Sequence, residues 1–386
     1  MHAEIPEIPL SLYIHFPWCV KKCPYCDFNS HQVGGDLPEA SYVDTLVLNL
    51  EQQLPYIQNR TINTIFMGGG TPSLFSGSAL DRLLCAIKAR CTLAPNCEIT
   101  LEANPGTIEQ AKFKEYYAIG INRLSIGIQS FQDQQLKALG RIHSGAEAQK
   151  AIETAKAAGF NNFNLDLMFG LPKQSIEQGL SDLRTALSFS ATHLSWYELT
   201  LEPNTAFWHH PPILPKEEAI LDLQAAGQAI LSDQGYAQYE VSAYARENKI
   251  CQHNLNYWEF GDYLAIGAGS HGKITLFSEN KIPQIKRFTH FRHPKKYMDH
   301  TQGLIESIQD ISPDMLAFEF MLNALRLKNG VAREYFEKRT GLPFSALEKP
   351  IATALENQWI VEPSERLCTT PQGYAFLNDV ISLFLA

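Results

Sequence analysis

Three cysteines crowd one short segment, Y-I-H-F-P-W-C-V-K-K-C-P-Y-C-D-F, which sets Cys19, Cys23 and Cys26 in C-x3-C-x2-C spacing. Thiolates bind both iron–sulfur clusters and zinc, so the number and grouping of sulfurs decide what can be built. Three thiolates hold three irons of a [4Fe–4S] cubane and leave the fourth without a protein ligand. S-adenosylmethionine can chelate that open iron through its amino nitrogen and carboxylate, and one electron from the cluster then breaks a carbon–sulfur bond to give a 5′-deoxyadenosyl radical. The rival is a zinc site completed by His15 or His31. Structural zinc usually shows two paired knuckles, and here there is one cysteine group. Tyr25, just before the last thiol, offers a flat ring that can pack on an adenine.

The elements around this loop alternate in type. Runs rich in Val, Ile, Leu and Phe at 12–15, 63–67, 98–102, 123–128, 163–168 and 194–199 read as strands. Between them, amphipathic stretches at 41–54, 78–90, 107–118, 146–158 and 175–189 read as helices; in the first, Tyr42, Leu46 and Leu50 recur at four-residue spacing. Such alternation implies parallel strands joined by right-handed crossovers. Six units are too few for an eightfold barrel, so the expectation is an α/β fold with an open, partial (β/α)6 barrel. Pro17 ends the first strand, because it cannot donate to a ladder, and hands the chain to the thiol loop.

The same geometry collects the other candidates. Glu102 ends the third strand, Gln129 follows the fourth, Asp166 lies late in the fifth and Thr200 follows the sixth. Polar residues at the carboxyl ends of successive strands face one mouth, where parallel α/β barrels keep their sites.

A helix at 216–234 follows, then an irregular stretch containing H-N-L-N-Y-W and G-A-G-S-H-G, and a polar, basic segment at 277–300 that reads as a linker. Helices at 313–326, 331–339 and 344–357, short strands near 359–361 and 367–369, and a last helix spell a mainly helical, winged-helix-like module. It lacks a basic recognition helix, so packing against the barrel is its expected role. The division expected is 1–240 for the barrel, 241–305 for an extension and linker, and 306–386 for the C-terminal domain.

Composition bounds the function. A net charge of −9, without clustered Lys or Arg, argues against a nucleic-acid partner. The opening M-H-A-E-I-P-E-I-P-L has no apolar h-region, and no stretch approaches a membrane span. The remaining cysteines, Cys85, Cys91, Cys97, Cys251 and Cys368, are scattered, which fits no disulfide framework and points to the reducing cytoplasm.

On the cysteine triplet, the Gly68-Gly69-Gly70-Thr71-Pro72 run after the second strand and the polar strand ends, the chain resembles the radical S-adenosylmethionine superfamily. Within it, the chain is similar to the oxygen-independent coproporphyrinogen oxidase family over nearly its whole length. The resemblance implies that the Gly69, Gly70 and Thr71 backbone approaches the methionine amino group and that Glu102 binds the ribose hydroxyls. It further implies that Gln129, Arg141, Asp166 and Thr200 contact the cofactor, with Tyr13 and Tyr25 near the cluster. The dehydrogenases of that family carry a fourth cysteine two residues after the third, where this chain has Phe28.

The motif His253-Asn254-Leu255-Asn256-Tyr257-Trp258 resembles the H-N-x-x-Y-W of HemW-type haem chaperones. An imidazole can ligate haem iron between aromatic walls; a buried histidine that only orders a loop is the alternative. No C-x-x-C-H attachment motif is present, although Cys251 stands two residues before His253. The resemblance implies a cytoplasmic carrier that binds haem and passes it to acceptor haemoproteins, respiratory enzymes at the membrane among them, by docking rather than insertion. Coproporphyrinogen III dehydrogenase activity is the alternative, and the missing fourth thiol weakens it. His271 in G-A-G-S-H-G lies near the cofactor by family position, or is a turn residue.

Overall fold

In the computed structural model, which describes residues 8–247, 249–277 and 283–385, one twelve-stranded sheet organises the chain. Residues 1–7, part of the segment read as lacking a secretory leader, lie outside the described residues. The six expected strands are β1 (Leu10–Phe16), β2 (Ile62–Gly69), β3 (Leu93–Ala103), β4 (Arg123–Gln129), β5 (Phe163–Phe169) and β6 (His193–Glu198), each parallel to the next. Their burial on both faces explains the near-continuous apolar runs, since helices cover parallel sheets.

The crossovers are α1 (Glu39–Ile57), α2 (Gly77–Arg90), α3 (Thr107–Ala118), α4 (Gly145–Ala158) and α5 (Ile176–Ser188). Reciprocal capping boxes, Ser144 with Glu147 and Ser175 with Gln178, start α4 and α5 by satisfying amides that the helix cannot pair itself. After α6 (Glu217–Asp233), two short antiparallel strands, β7 (Ala237–Gln238) and β8 (Ala243–Ala245), close one edge against β6.

At the other edge the structure departs from the sequence reading. H-N-L-N-Y-W is not irregular but forms α7 (Gln252–Trp258). Then β9 (Asp262–Ile266) pairs in parallel with β1, and β10 (His271–Phe277), β11 (Pro283–His290) and β12 (Ile305–Asp310) follow antiparallel. The segment read as a linker at 277–300 therefore carries a strand and a short helix (Pro294–Asp299); its residues 278–282 lie outside the described ones. Its polar and basic side chains are interleaved with Ile285 and Phe288, which lie three residues apart and so on opposite faces of the strand, Ile285 in the C-terminal core and Phe288 in the barrel core. The sheet thus runs through the divisions drawn at 240 and 305.

The C-terminal part has its own core, centred on Phe320, Phe336, Leu347, Ile351 and Val380, and it also takes in Phe260 and Ile285 from the sheet extension. Its helices α8 (Pro313–Ala324), α9 (Glu334–Thr340) and α10 (Glu348–Glu356) fall where helices were expected, but the short strands expected near 359–361 and 367–369 do not form a ladder with each other. Arg366–Leu367 pairs with Val331–Ala332, and Ile360 and Thr369 meet only in an isolated bridge. No helix among the described residues is long and apolar enough to cross a membrane.

Candidate functional site

A cavity of about 330 Å³ opens at the carboxyl ends of β2–β6. It is lined by Cys19, Cys23 and Cys26, by Tyr25, Gly69, Gly70 and Thr71, and by Glu102, Gln129, Arg141 and Asp166. The sheet brings together side chains spread over 150 residues, because each crossover returns the chain to the same level. Two expected residues stand apart. Thr200 is exposed and donates its hydroxyl to Glu202 Oε1 at 2.7 Å. Tyr13 lines a second cavity, and its hydroxyl donates to His15 Nδ1 at 2.9 Å.

The thiol loop is pinned by its own backbone. Trp18 and Cys19 pair with His31 and Gln32, so the loop leaves and returns at one point. Burial pushes the Cys19 and Cys26 thiols up, so metal binding there releases protons. Arg141 reaches Cys23 Sγ from Nη1 at 3.7 Å and donates from Nη2 to Asn104 Oδ1 at 2.7 Å and to Gly127 O at 2.8 Å. Its buried Nε has no partner among the described residues. A buried cation with an unspent donor beside three thiols suits a cavity that receives an anionic group.

The carboxylates are held unusually. Glu102 is half-buried at the cavity wall, and desolvation, with Asp166 nearby, pushes its carboxyl up to about 8, while the Gly69 amide donates to Oε2 at 3.0 Å and opposes the shift. Asp166 is raised by burial against donors from Asn164 at 2.7 Å and Ser125 at 3.2 Å. Gly69 sits at φ +116°, where a Cβ would lie 2.5 Å from the His15 ring, so only glycine allows this approach. Gln129 adopts φ +68° where the β4–β5 register shifts, a bulge that re-aims the strand end. Its Oε1 accepts from Tyr197 Oη at 2.8 Å.

Sequence reasoning missed Asn104, which bridges Thr71 Oγ1 at 2.9 Å and Arg141 and so ties two expected residues together. Its signal was E-A-N-P-G, a polar turn directly after a strand end. Ser125 and Tyr197, on the inner faces of β4 and β6, were also missed.

The donor set fits an open cubane better than zinc. Among the described residues no three His, Cys, Asp or Glu side chains converge on a single-ion site. His15 is spent: Nε2 donates to Asn29 O at 2.9 Å while Nδ1 accepts from Tyr13. His31 Nε2 lies 3.3 Å from Asn29 Oδ1.

A second cavity of about 570 Å³ adjoins the first, with Phe28 in the lining of both. Tyr257 and Trp258 from α7 and Tyr263 from β9 supply aromatic walls, and His271, Lys273, Arg287 and Arg292 add nitrogen and positive charge. His253 is not in this lining. It is buried against Phe66, with ring centroids 5.1 Å apart. Thr64 Oγ1 donates to Ser11 and therefore accepts from His253 Nδ1 at 2.7 Å; His253 Nε2 then accepts from Tyr257 Oη at 2.8 Å. Burial pushes its imidazole down to about 3. Cys251 is buried too, its thiol directed at Glu98 Oε1 at 3.7 Å.

The Radical SAM superfamily signature matches residues 13–186, and that of the HemN C-terminal domain matches 311–376. Over 379 residues the chain is 48% identical to the heme chaperone HemW of Escherichia coli, covering 98% of each. It is 49% identical over 386 residues to that of Haemophilus influenzae, covering 99% of each. The solved coproporphyrinogen III oxidase HemN of Escherichia coli shares the fold, with a TM-score of 0.82 at 22% identity over all of this chain and 92% of that one.

Proposed function

From a chain that belongs to the HemW family of heme chaperones, within the radical SAM superfamily, we propose a cytoplasmic carrier that binds haem and passes it to acceptor haemoproteins. Cys19, Cys23 and Cys26 would hold a [4Fe–4S] cluster whose open iron, when bound, offers a seat for S-adenosylmethionine. Gly69, Gly70 and Thr71 would approach its methionyl end, Glu102 would accept from the ribose hydroxyls, and Arg141 would meet the carboxylate. Gln129, Asp166 and Tyr25 complete the lining, while Tyr13 and Thr200 would act from outside it. The reducing compartment is supported by eight cysteines that are all unbridged. Acceptors at the membrane would be reached by docking.

The observation that carries the reading is the pairing of two cavities across Phe28. The first has the donors for cluster and nucleoside; the second has the flat walls and cations that a dianionic macrocycle needs. Where the related dehydrogenases have a fourth thiol, an aromatic ring stands, 59% exposed. It can stack on a macrocycle but cannot exchange a proton with one.

Anaerobic titration of the reconstituted chain with hemin should give a saturable Soret band that is lost on mixing with haem-depleted respiratory membranes. Coproporphyrinogen III supplied with S-adenosylmethionine and a reductant should remain unconverted. Turnover to protoporphyrinogen would replace the carrier by an enzyme.

A further inference from the structure

The H-N-x-x-Y-W histidine and the G-A-G-S-H-G histidine stand in opposite chemical situations. Iron coordination needs an sp² nitrogen lone pair that faces open space. His253 has none: Nδ1 carries its proton toward Thr64, and the Nε2 lone pair is taken by Tyr257 Oη at 2.8 Å. It sits behind the second cavity, one helical turn before Tyr257, and its bond to that hydroxyl fixes the tyrosine ring as a wall.

His271 opens β10 on the lining of the same cavity. It is exposed, its Nδ1 lies 3.3 Å from Thr289 Oγ1, and its Nε2 has no partner among the described residues. Partial desolvation, then Arg287 and Arg292, hold its imidazole below the usual range. The surrounding cations are unequal. Lys273 is matched by Asp262 at 3.0 Å, and Arg287 by Glu319. Arg292 is exposed and has no ion pair among the described residues. One uncompensated guanidinium therefore stands at the cavity, where a carboxylate would find a charge-assisted partner. The volume of about 570 Å³ lies within the roughly 300–1,000 Å³ typical of sites that bury a sizeable organic ligand.

We propose that haem binds in this second cavity with His271 Nε2 as the iron ligand and Arg292 against a propionate, and that His253 is a positioning residue for Tyr257. This rests on the haem-carrier reading above and names its site. The bond is dative, so no electron or proton source is required.

The test is anaerobic hemin titration of the full, cluster-reconstituted chain, read by the Soret band and by electron paramagnetic resonance. His271→Ala should weaken binding by about tenfold or more and erase the histidine signature, and added imidazole should restore that signature. His271→Met should bind with a shifted Soret band. Arg292→Ala should lose affinity several-fold for hemin and none for hemin dimethyl ester, whose propionates are masked. Tyr257→Phe, which frees His253 Nε2 without opening a hole, should leave the axial signature unchanged.

If His271→Ala keeps wild-type affinity and spectrum, the proposal is overturned. The same holds if His253→Gln, folded by circular dichroism, loses the axial signature while His271→Ala does not. A wild-type chain that takes up no hemin sinks the carrier reading itself, a different failure from either.

Discussion

The two cavities that meet at Phe28 are assembled by different rules. The first is a product of repetition: β2 to β6 rise in parallel, each ends at the same level, and each delivers a polar residue there. The second is a product of additions. Its walls come from β1, the cluster loop, α7, β9, β10, β11 and α8, and their alignment depends on antiparallel register, with His271 opposite Thr289 and Lys273 opposite Arg287. A repeated unit positions a site by its own periodicity, whereas an accreted edge positions one only after it has paired.

The sharpest way to break this contrast is to empty the first cavity and read the second. A triple Cys19→Ser, Cys23→Ser, Cys26→Ser variant should lose all cluster absorbance and bound iron and sulfide, yet bind hemin within about threefold of wild type, a change under 1 kcal/mol. A parallel collapse of hemin affinity would mean that the cavities are one unit.

Next in size is the response to pH, which should differ in sign between the regions. Burial holds His15 and His290 at about 4 and His253 at about 3, all beside the second cavity or its seam. The unfolded chain takes up these protons first, so their stabilisation is complete above about pH 6.5 and fades as pH falls toward 4. The slope is roughly 1.4 kcal/mol per pH unit for each histidine. Glu102, raised to about 8, works the other way: its folded-state preference is for the neutral form, and stability falls as pH rises from about 4.5 to 8. Thermal melts across pH 4–8, with hydrogen exchange of α7 and β2, should show acid loosening the second region first. Uniform loosening would contradict the assignment.

Two smaller effects refine the first cavity. Gly69→Ala forces a side chain into φ +116° and against His15, and should cost about 1–3 kcal/mol in denaturant unfolding. Glu102→Gln keeps the shape but halves the acceptors, and should weaken S-adenosylmethionine about tenfold by equilibrium dialysis, while hemin affinity stays put. A glutamine variant with full affinity would remove Glu102 from the nucleoside site.

The contrast also explains what could be read in advance. Strand–helix alternation and the thiol triplet carried the six parallel strands and the loop after Pro17; with the family resemblance they pointed to about half of the residues that line the first cavity, and Asn104, Ser125 and Tyr197 escaped them. Thr200 follows β6 as read, but its hydroxyl turns outward to Glu202, which no local pattern signals. The second cavity was barely legible. Residues 283–290 look polar because Ile285 and Phe288 are their only large apolar side chains, and a basic strand mimics a linker until its partner is known. His253 drew notice because it heads a motif, yet its burial depends on Phe66 and Thr64, nearly two hundred residues away in sequence. Its neighbours Tyr257 and Trp258 are the ones that reach open space.

One side chain spans the divide. Asn29 Nδ2 donates to Ala268 O and Arg292 O, each at 2.9 Å, while its own carbonyl accepts from His15. Gly269 makes room for it, since a Cβ there would stand 2.2 Å from that nitrogen. The strip of chain that carries the three thiols is thus tethered to the stretch carrying His271 and Arg292. What this link can transmit is bounded by the threefold limit on hemin affinity, and by reciprocity a seated cargo would alter the hold on the cluster by no more than the same factor.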